Sequence, residues 1–204
     1  MTTQRISIFP LTGAILYPGL HLPLHIFEPR YRAMIQDALA RDRRIGMIQP
    51  QRPEEGAPLY TVGCLGKIAE VEALEDGRFN IFLEGEARFR LLRELDVTTP
   101  FRQVEGELIA DVSDDHISAP ERADFERSAR IFAEAQGYEV DWSVVERMDD
   151  AAVINMSAQI VPFDAAAKQA LLEADTLSAR TDLLVQLMDF FALPPMGEGK
   201  STLQ

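Results

Sequence analysis

Two histidines, His21 and His25, stand four residues apart, which is the spacing of paired zinc ligands on a helix. Pro23 lies between them and forbids a helical backbone there. On an extended strand the two imidazoles would be about 13 Å apart, too far to hold one ion. His116 is isolated in an acidic stretch. The sequence therefore predicts no metal site, and it favours His21 and His25 as surface residues that contact a partner.

The other groups that could do chemistry also lack the setting that chemistry needs. Cys64 is the only thiol, and its neighbours supply neither the base nor the cation that would activate it. Gly199-Lys200-Ser201 resembles the end of a Walker A loop, but position 194 is proline instead of glycine and no strand precedes it. No carboxylate pair is singled out by apolar surroundings. We therefore expect no catalytic residue and no cofactor.

Charge indicates the class of partner. The net charge is −13, and it is uneven: residues 1–112 hold 13 Lys and Arg against 16 Asp and Glu, whereas residues 113–204 hold 7 against 17. A field of this sign repels phosphate backbones and anionic lipid. Neither nucleic acid nor a membrane is therefore expected as the main partner, and a protein or peptide fits better.

The elements that must position these residues begin with a strand at residues 20–26. Leu20, Leu22, Leu24 and Ile26 alternate with His21, Pro23, His25 and Phe27, so one face enters a core and the other is accessible. Because Pro23 has no amide hydrogen, the strand is expected at a sheet edge or at a bulge. A helix follows, which Glu28 and Pro29 begin by N-terminal capping chemistry. Residues 50–58, rich in proline and charge, predict a mobile surface loop.

The hydrophobic period changes from 2 to 3.6 near residues 111–120. Strands are predicted at 5–11, 45–49, 62–74, 78–86, 87–95 and 101–109, and helices at 120–136, 143–161, 164–174 and 177–193. These patterns predict an α+β protein with a β-rich subdomain at 1–112. A helical bundle with a disordered C-terminal tail is predicted at 113–204.

Two ordered strings of residues carry a family resemblance. FPLTGAILYPGLHLPLHIFEPRY at 9–31 and VGCLGKIAEVEALEDGRFNIFLEGEARFRLL at 62–92 resemble the signature of the substrate-binding domain at the front of Lon-type ATP-dependent proteases. The resemblance implies a β-rich, PUA-like pseudobarrel followed by a helical bundle. It also implies that the domain helps to engage protein substrates. It stops before the ATPase and peptidase modules.

The site residues divide into two groups. Glu28, Pro29, Arg30, Tyr31 and Arg88 are interpreted as a structural signature, in which Arg30 and Arg88 pair with carboxylates to fix the junction between strand and helix. Tyr17, His21, Pro23 and His25, with the 50–58 loop, have no evident core duty. We therefore expect these residues to contact another chain.

The sequence thus predicts a non-catalytic domain that recognises unfolded or flexible protein segments. In the proposed mechanism a peptide adds as a strand to an exposed sheet edge. An adaptor or regulator of a protease is the first alternative, followed by a PUA-like RNA-binding module and by a hydrolase with an unrecognised site. The lone thiol and the absence of a basic start leading into an apolar run favour the cytoplasm. The pattern leaves the oligomeric state open.

Overall fold

The computed structural model of this chain describes residues 3–110 and 116–192. Within those ranges the order of elements is β1 (Thr3–Pro10), β2 (His21–Ile26), α1 (Pro29–Leu39), β3 (Arg44–Ile48), β4 (Val62–Ala73), β5 (Phe79–Glu94), β6 (Gln103–Leu108), α2 (Ala119–Gln136), α3 (Trp142–Val145), α4 (Asp150–Ile160), α5 (Ala165–Glu173) and α6 (Leu177–Ala192). Strands with one helix precede helices, so the predicted α+β class is confirmed.

Two predicted boundaries were wrong. The strands expected at 78–86 and 87–95 are one 16-residue strand, β5, which pairs with β4 along most of its length and absorbs register shifts instead of ending. The helix expected at 143–161 is divided into α3 and α4. The break has a local cause, because Asp149 Oδ1 accepts a hydrogen bond of 2.8 Å from Ala152 N and so starts a new helix.

The six strands form one mixed sheet in the order β2-β5-β4-β3-β1-β6. The β1–β3 pair is parallel and the other pairs are antiparallel. The long strand β5 pairs with β2 through its first half and with β6 through its second half. Both end strands of the order are therefore hydrogen-bonded to β5. That arrangement leaves β2 at an edge, as the proline at position 23 predicted. The PUA-like pseudobarrel stays a prediction.

Phe89 is fully buried in the sheet core, and glycines make room for its ring. Gly46, Gly63 and Gly106 lie on three different strands around it. A Cβ on Gly63 would stand 2.5 Å from the Met47 carbonyl oxygen and 2.7 Å from Phe89 Cζ, closer than real Cβ contacts. Packing therefore accounts for Gly63 and Phe89, which both belong to the second of the two strings that carry the family resemblance.

Buried polar groups fasten α5 to the strands. Gln49 Nε2 donates to the Ala165 carbonyl at 3.0 Å and to Gln169 Oε1 at 3.1 Å. Gln169 Nε2 in turn donates to the Val62 carbonyl at 3.0 Å. Because these groups are buried, their hydrogen bonds fix the position of the helix as well as stabilising it. No sequence pattern had predicted this attachment.

The chain divides into two compact units. One comprises Met1–Asp114 and Asn155–Glu173, and the other comprises Asp115–Ile154 and Ala174–Gln204. Residues 155–173, from the helical half, are therefore grouped with the strands. The division into domains at 112 and 113 stays a prediction.

Helix α2 begins with a capping box. Glu121 Oε2 accepts hydrogen bonds from Ser118 N at 2.6 Å and from Ser118 Oγ at 2.5 Å, and the Ser178 hydroxyl donates to the other carboxylate oxygen. These bonds favour the ionised carboxylate and lower the pKa of Glu121 from 4.5 to about 2. The pKa is thus depressed in the folded protein relative to the unfolded chain.

We expect Glu121→Gln to destabilise the protein most above about pH 5, where the wild-type carboxylate is ionised in both the folded and the unfolded states. As the pH falls toward 2, the unfolded carboxylate takes up its proton first and the advantage of wild type disappears. Urea unfolding of both proteins between pH 3 and pH 7 measures this trend. A difference between the two proteins that does not change with pH would contradict this assignment.

Two further findings bear on the sequence predictions. In the part of the chain that the structure describes, no helix combines the length and hydrophobicity needed to cross a membrane. Gly199-Lys200-Ser201 and the predicted disordered tail lie outside the described residues, as does part of the predicted linker.

Candidate functional site

A groove of about 420 Å³ lies between the start of α1, the end of β1, strand β2 and the 50–58 loop. We call it the loop groove. Its lining residues are Phe9, Pro10, Leu11, Thr12, Pro23, Leu24, His25, Phe27, Glu28, Arg30, Tyr31, Pro50, Pro53, Glu54, Glu55, Gly56 and Arg102. Four prolines and three aromatic residues contribute apolar surface, and five charged residues, three acidic and two basic, line the groove as well.

Strand β2 places its outward residues along the groove. Pro23, His25 and Phe27 are exposed, whereas Leu22 and Leu24 are half-buried against the core and Ile26 is fully buried, so the predicted alternation is confirmed. The side chain of Phe27 is 59% exposed, which is unusual for a large apolar group.

Strand β5 holds the ring of His25. His25 Nδ1 lies 2.7 Å from Asn80 Oδ1, and Asn80 Nδ2 donates to Glu72 Oε2 at 2.7 Å. The centroid of the imidazole lies 6.2 Å from the centroid of the Phe27 ring. This row of polar contacts across three strands orients the rim of the groove.

The start of α1 forms the opposite wall. Pro29 occupies the first turn of α1, as predicted, but Glu28 makes no side-chain cap hydrogen bond. Glu28 is nevertheless the N-cap residue of α1, as predicted, and its carboxylate accepts from Arg30 Nε at 3.0 Å instead of from the helix amides. Arg30 also forms an ion pair with Glu55 of the loop, and its guanidinium lies 4.6 Å from the centre of the Tyr31 ring. Arg30 thus joins the helix to the loop.

Tyr31 lies buried at the base of this wall. Its ring packs edge-on against Phe9 at 4.4 Å between centroids. Burial raises the pKa of the Tyr31 phenol, and the nearby Arg30 guanidinium opposes that shift only in part. The phenol therefore stays protonated at neutral pH and serves as a packing group.

The 50–58 loop is tied to the strands at its base. Pro50 and Leu59 form a β-bridge, and Gln51 N donates to the Pro58 carbonyl at 2.8 Å. Arg102 Nη1 donates to the Ala57 carbonyl at 3.1 Å, and its other nitrogens bond to both carboxylate oxygens of Glu94 at 2.7 Å. The tip of the loop is exposed, in agreement with the sequence. Its mobility stays a prediction.

The structure brings together five of the predicted site residues in this groove: Pro23, His25, Glu28, Arg30 and Tyr31. His21 is exposed on the same strand, outside the groove lining. The predicted ion pairs of Arg30 are confirmed. Sequence reasoning missed Arg102 and Phe9 as lining residues, and it placed Phe27 on the accessible face without selecting it.

Tyr17 is fully buried, which corrects the expectation that it has no core duty. The cause is the turn that it begins, because Gly19 N donates to the Gly85 carbonyl at 2.9 Å and Gly85 N donates to the Leu20 carbonyl at 2.9 Å. These bonds press the turn onto β5 and direct the Tyr17 side chain inward. Tyr17 is therefore not part of the accessible surface.

Arg88 is also placed differently from the prediction. It lies on β5, away from the junction of β2 and α1, and its Nη1 donates to the Leu172 carbonyl of α5 at 3.0 Å. The guanidinium is buried. Arg88 thus holds α5 to the sheet.

The outer edge of β2 is partly occupied. The Leu20 carbonyl bonds to β5, so by alternation the backbone groups of His21, Pro23 and His25 point away from that strand. Gln159 Nε2 of α4 donates to the His21 carbonyl at 2.9 Å. Pro23 offers no amide hydrogen. An incoming strand would therefore find one acceptor taken and one donor missing.

Many charged side chains of the described residues form exposed ion pairs or helix caps, whereas Arg88, Lys168 and Arg180 are buried and donate to backbone carbonyls. Among residues 3–110 and 116–192, no group of three or more His, Cys, Asp or Glu side chains could hold a metal ion. Cys64 is fully buried in the core, as predicted. The groove thus combines apolar side chains with polar and charged groups in its lining.

Known proteins are similar to this chain in sequence and in fold. The sequence model of one protein family, the ATP-dependent protease La (LON) substrate-binding domain, matches residues 5–189 of this chain. Lon protease 2 of Myxococcus xanthus is 26% identical over 196 residues, covering 91% of this chain and 24% of that protein. The Lon protease of Anaeromyxobacter dehalogenans is 27% identical over 194 residues, covering 90% and 23%. The chain thus spans about a quarter of the length of these relatives.

Two solved structures have the same fold. The Lon N-terminal domain protein from Xanthomonas campestris superposes with a TM-score of 0.68 at 22% identity, covering 90% of this chain and 98% of that one. The N-terminal domain of the Mycobacterium avium complex Lon protease gives a TM-score of 0.66 at 21% identity, covering 91% and 98%.

Proposed function

The chain belongs to the LON substrate-binding domain family, and from that premise we propose that it binds unfolded or flexible segments of other proteins in the loop groove. It does so in the cytoplasm, without a cofactor and without catalysing a reaction itself. Its role is in proteolysis, where it recognises protein segments and does not hydrolyse peptide bonds.

The observation that carries this proposal is the exposed ring of Phe27 at a groove walled by Glu28, Arg30 and Tyr31. An exposed phenylalanine gains about 1.5–3 kcal/mol when a partner removes it from water. Unfolded chains differ from folded ones in offering apolar side chains for such contact. Pro23, Leu24 and His25 of β2 line the groove beside Phe27, so a bound segment can contact several side chains in a row.

The backbone of the β2 edge offers few free hydrogen-bonding groups, which favours binding of a segment through side chains. Strand addition, the mechanism expected from sequence, requires free backbone donors and acceptors along the edge. Gln159 already occupies the His21 carbonyl, and Pro23 has no donor. We propose that the bound segment lies across the exposed face of Pro23 and Phe27 and is not added to the sheet.

A second candidate is an adaptor or regulator that presents itself to a protease. The relatives support it, because their names are those of proteases and the matched region is only about a quarter of their length. RNA binding is less well supported, since the chain carries a net charge of −13.

We expect Phe27→Ser to weaken the capture of a reduced, carboxymethylated model protein roughly tenfold, because a serine buries far less apolar surface. The matched control is Phe190→Ser, which removes a phenylalanine of similar exposure, 68%, on α6 outside the groove lining. Fluorescence anisotropy measures the affinity, and thermal unfolding verifies that both variants fold. Equal weakening by the two substitutions would place the contact elsewhere.

A further inference from the structure

The loop groove has more carboxylates in its lining than cations available to pair with them. Glu28, Glu54 and Glu55 line it, together with Arg30 and Arg102. The guanidinium of Arg102 is engaged by both oxygens of Glu94, which is not a lining residue. Among the lining cations Arg30 is therefore left to pair with Glu28 and Glu55, while Glu54 has only a 4.0 Å contact with Arg52, which is not a lining residue.

The carboxylates of the loop are also accessible. The side chain of Glu55 is 79% exposed although it pairs with Arg30, which must pair with Glu28 as well. Glu54 is 68% exposed, and its contact with Arg52 is 4.0 Å long, the outer limit of an ion pair. Both have oxygens free to accept further hydrogen bonds from a ligand, because each carboxylate offers about four acceptor positions.

Resting on the proposed function, we propose that the loop groove selects polypeptide segments in which a lysine or arginine adjoins an apolar side chain. The apolar side chain is covered by Phe27 and Pro23, while the cation reaches Glu54 and Glu55. The charge of −13 on the whole chain draws the same segments toward the protein.

The selectivity is modest because these carboxylates are exposed. Ion pairs of this kind change affinity by a small factor each, and two of them together give about fivefold. Salt screens them, with a Debye length of about 10 Å at 0.1 M ionic strength and about 3 Å at 1 M. The preference for basic segments should therefore fade at high salt, whereas apolar contact with Phe27 should persist.

The test uses three labelled peptides of equal length with the same Phe-Leu centre, flanked by lysine, serine or glutamate. We expect the lysine peptide to bind the full chain about fivefold more tightly than the glutamate peptide at low salt, with the serine peptide between them. Raising the salt to about 1 M should bring the three affinities together. Fluorescence anisotropy supplies the dissociation constants.

Charge reversal locates the effect. Glu54→Lys combined with Glu55→Lys should abolish or invert the order of the peptides. The matched control, Glu75→Lys with Glu84→Lys, makes the same change of net charge at two exposed carboxylates outside the groove lining and should preserve the order. If the control pair changes the order equally, the preference comes from the charge of the whole chain and selection by the groove is refuted.

The outcomes separate this inference from the proposed function. Equal affinity for the three peptides, lowered in each case by Phe27→Ser, overturns charge selection and leaves the binding function standing. Peptide affinities that Phe27→Ser does not alter overturn the binding site itself. An ordered series that the loop substitutions abolish supports both.

Discussion

Replacing Gly85 by alanine is expected to destabilise the protein by about 3 kcal/mol, because the new methyl group has no space. A Cβ on Gly85 would stand 2.1 Å from the Tyr17 carbonyl oxygen and 2.7 Å from the Tyr17 carbonyl carbon. These are backbone atoms, so no side-chain rotation can relieve the contact. The turn must move, and the two hydrogen bonds that Gly85 makes with Gly19 and Leu20 weaken with it.

Urea unfolding followed by circular dichroism measures this loss, and the melting temperature should fall on the order of 10 °C. The control is Glu84→Ala, which places the same methyl group at the preceding, exposed position of β5 and should change stability by less than about 0.5 kcal/mol. Equal stability of the two variants would mean that the turn yields freely and that Tyr17 is not held by Gly85.

Arg88→Met is expected to cost about 3 kcal/mol and to loosen α5 from the strands. Methionine keeps most of the apolar stem but cannot donate to the Leu172 carbonyl, which is then left buried with one hydrogen bond fewer. Burying a carbonyl without its donor is more costly than losing an exposed hydrogen bond.

Hydrogen exchange distinguishes this effect from general destabilisation. Amides of α5 should exchange faster in Arg88→Met by a larger factor than amides of β3 and β4. Arg90→Met removes an exposed arginine two residues along the same strand and is the matched control, with an expected change below about 0.5 kcal/mol. Exchange that rises uniformly through the protein would show that Arg88 does not hold α5 locally.

Local patterns predicted the local features of this molecule. The alternation of β2 is visible in the sequence because each exposed residue alternates with a core residue, and the position of Pro23 follows from its missing donor. Pro29 marks the start of α1 for a comparable reason. Each of these features depends on neighbours within a few positions, so a single sequence suffices to find it.

Features that depend on distant residues were missed or misplaced. Tyr17 has no periodic pattern around it, and its burial depends on a turn that rests against β5. Gln49 and Gln169 are 120 residues apart, yet they bond to each other in the core. The groove itself joins segments from Phe9 to Arg102. Nothing in the composition of one segment records which other segment will lie beside it.

If the protein binds unfolded chains as proposed, the edge of β2, where Pro23 lacks a donor and Gln159 occupies an acceptor, affects what happens to those chains. Unfolded chains that meet an open strand edge can extend the sheet, and the added strand then offers a new edge to the next chain. Pro23 and Gln159 interrupt that propagation at its first step. On the proposed function, a segment held by its side chains can dissociate again, so a protein with this edge binds many unfolded chains in turn without seeding an aggregate.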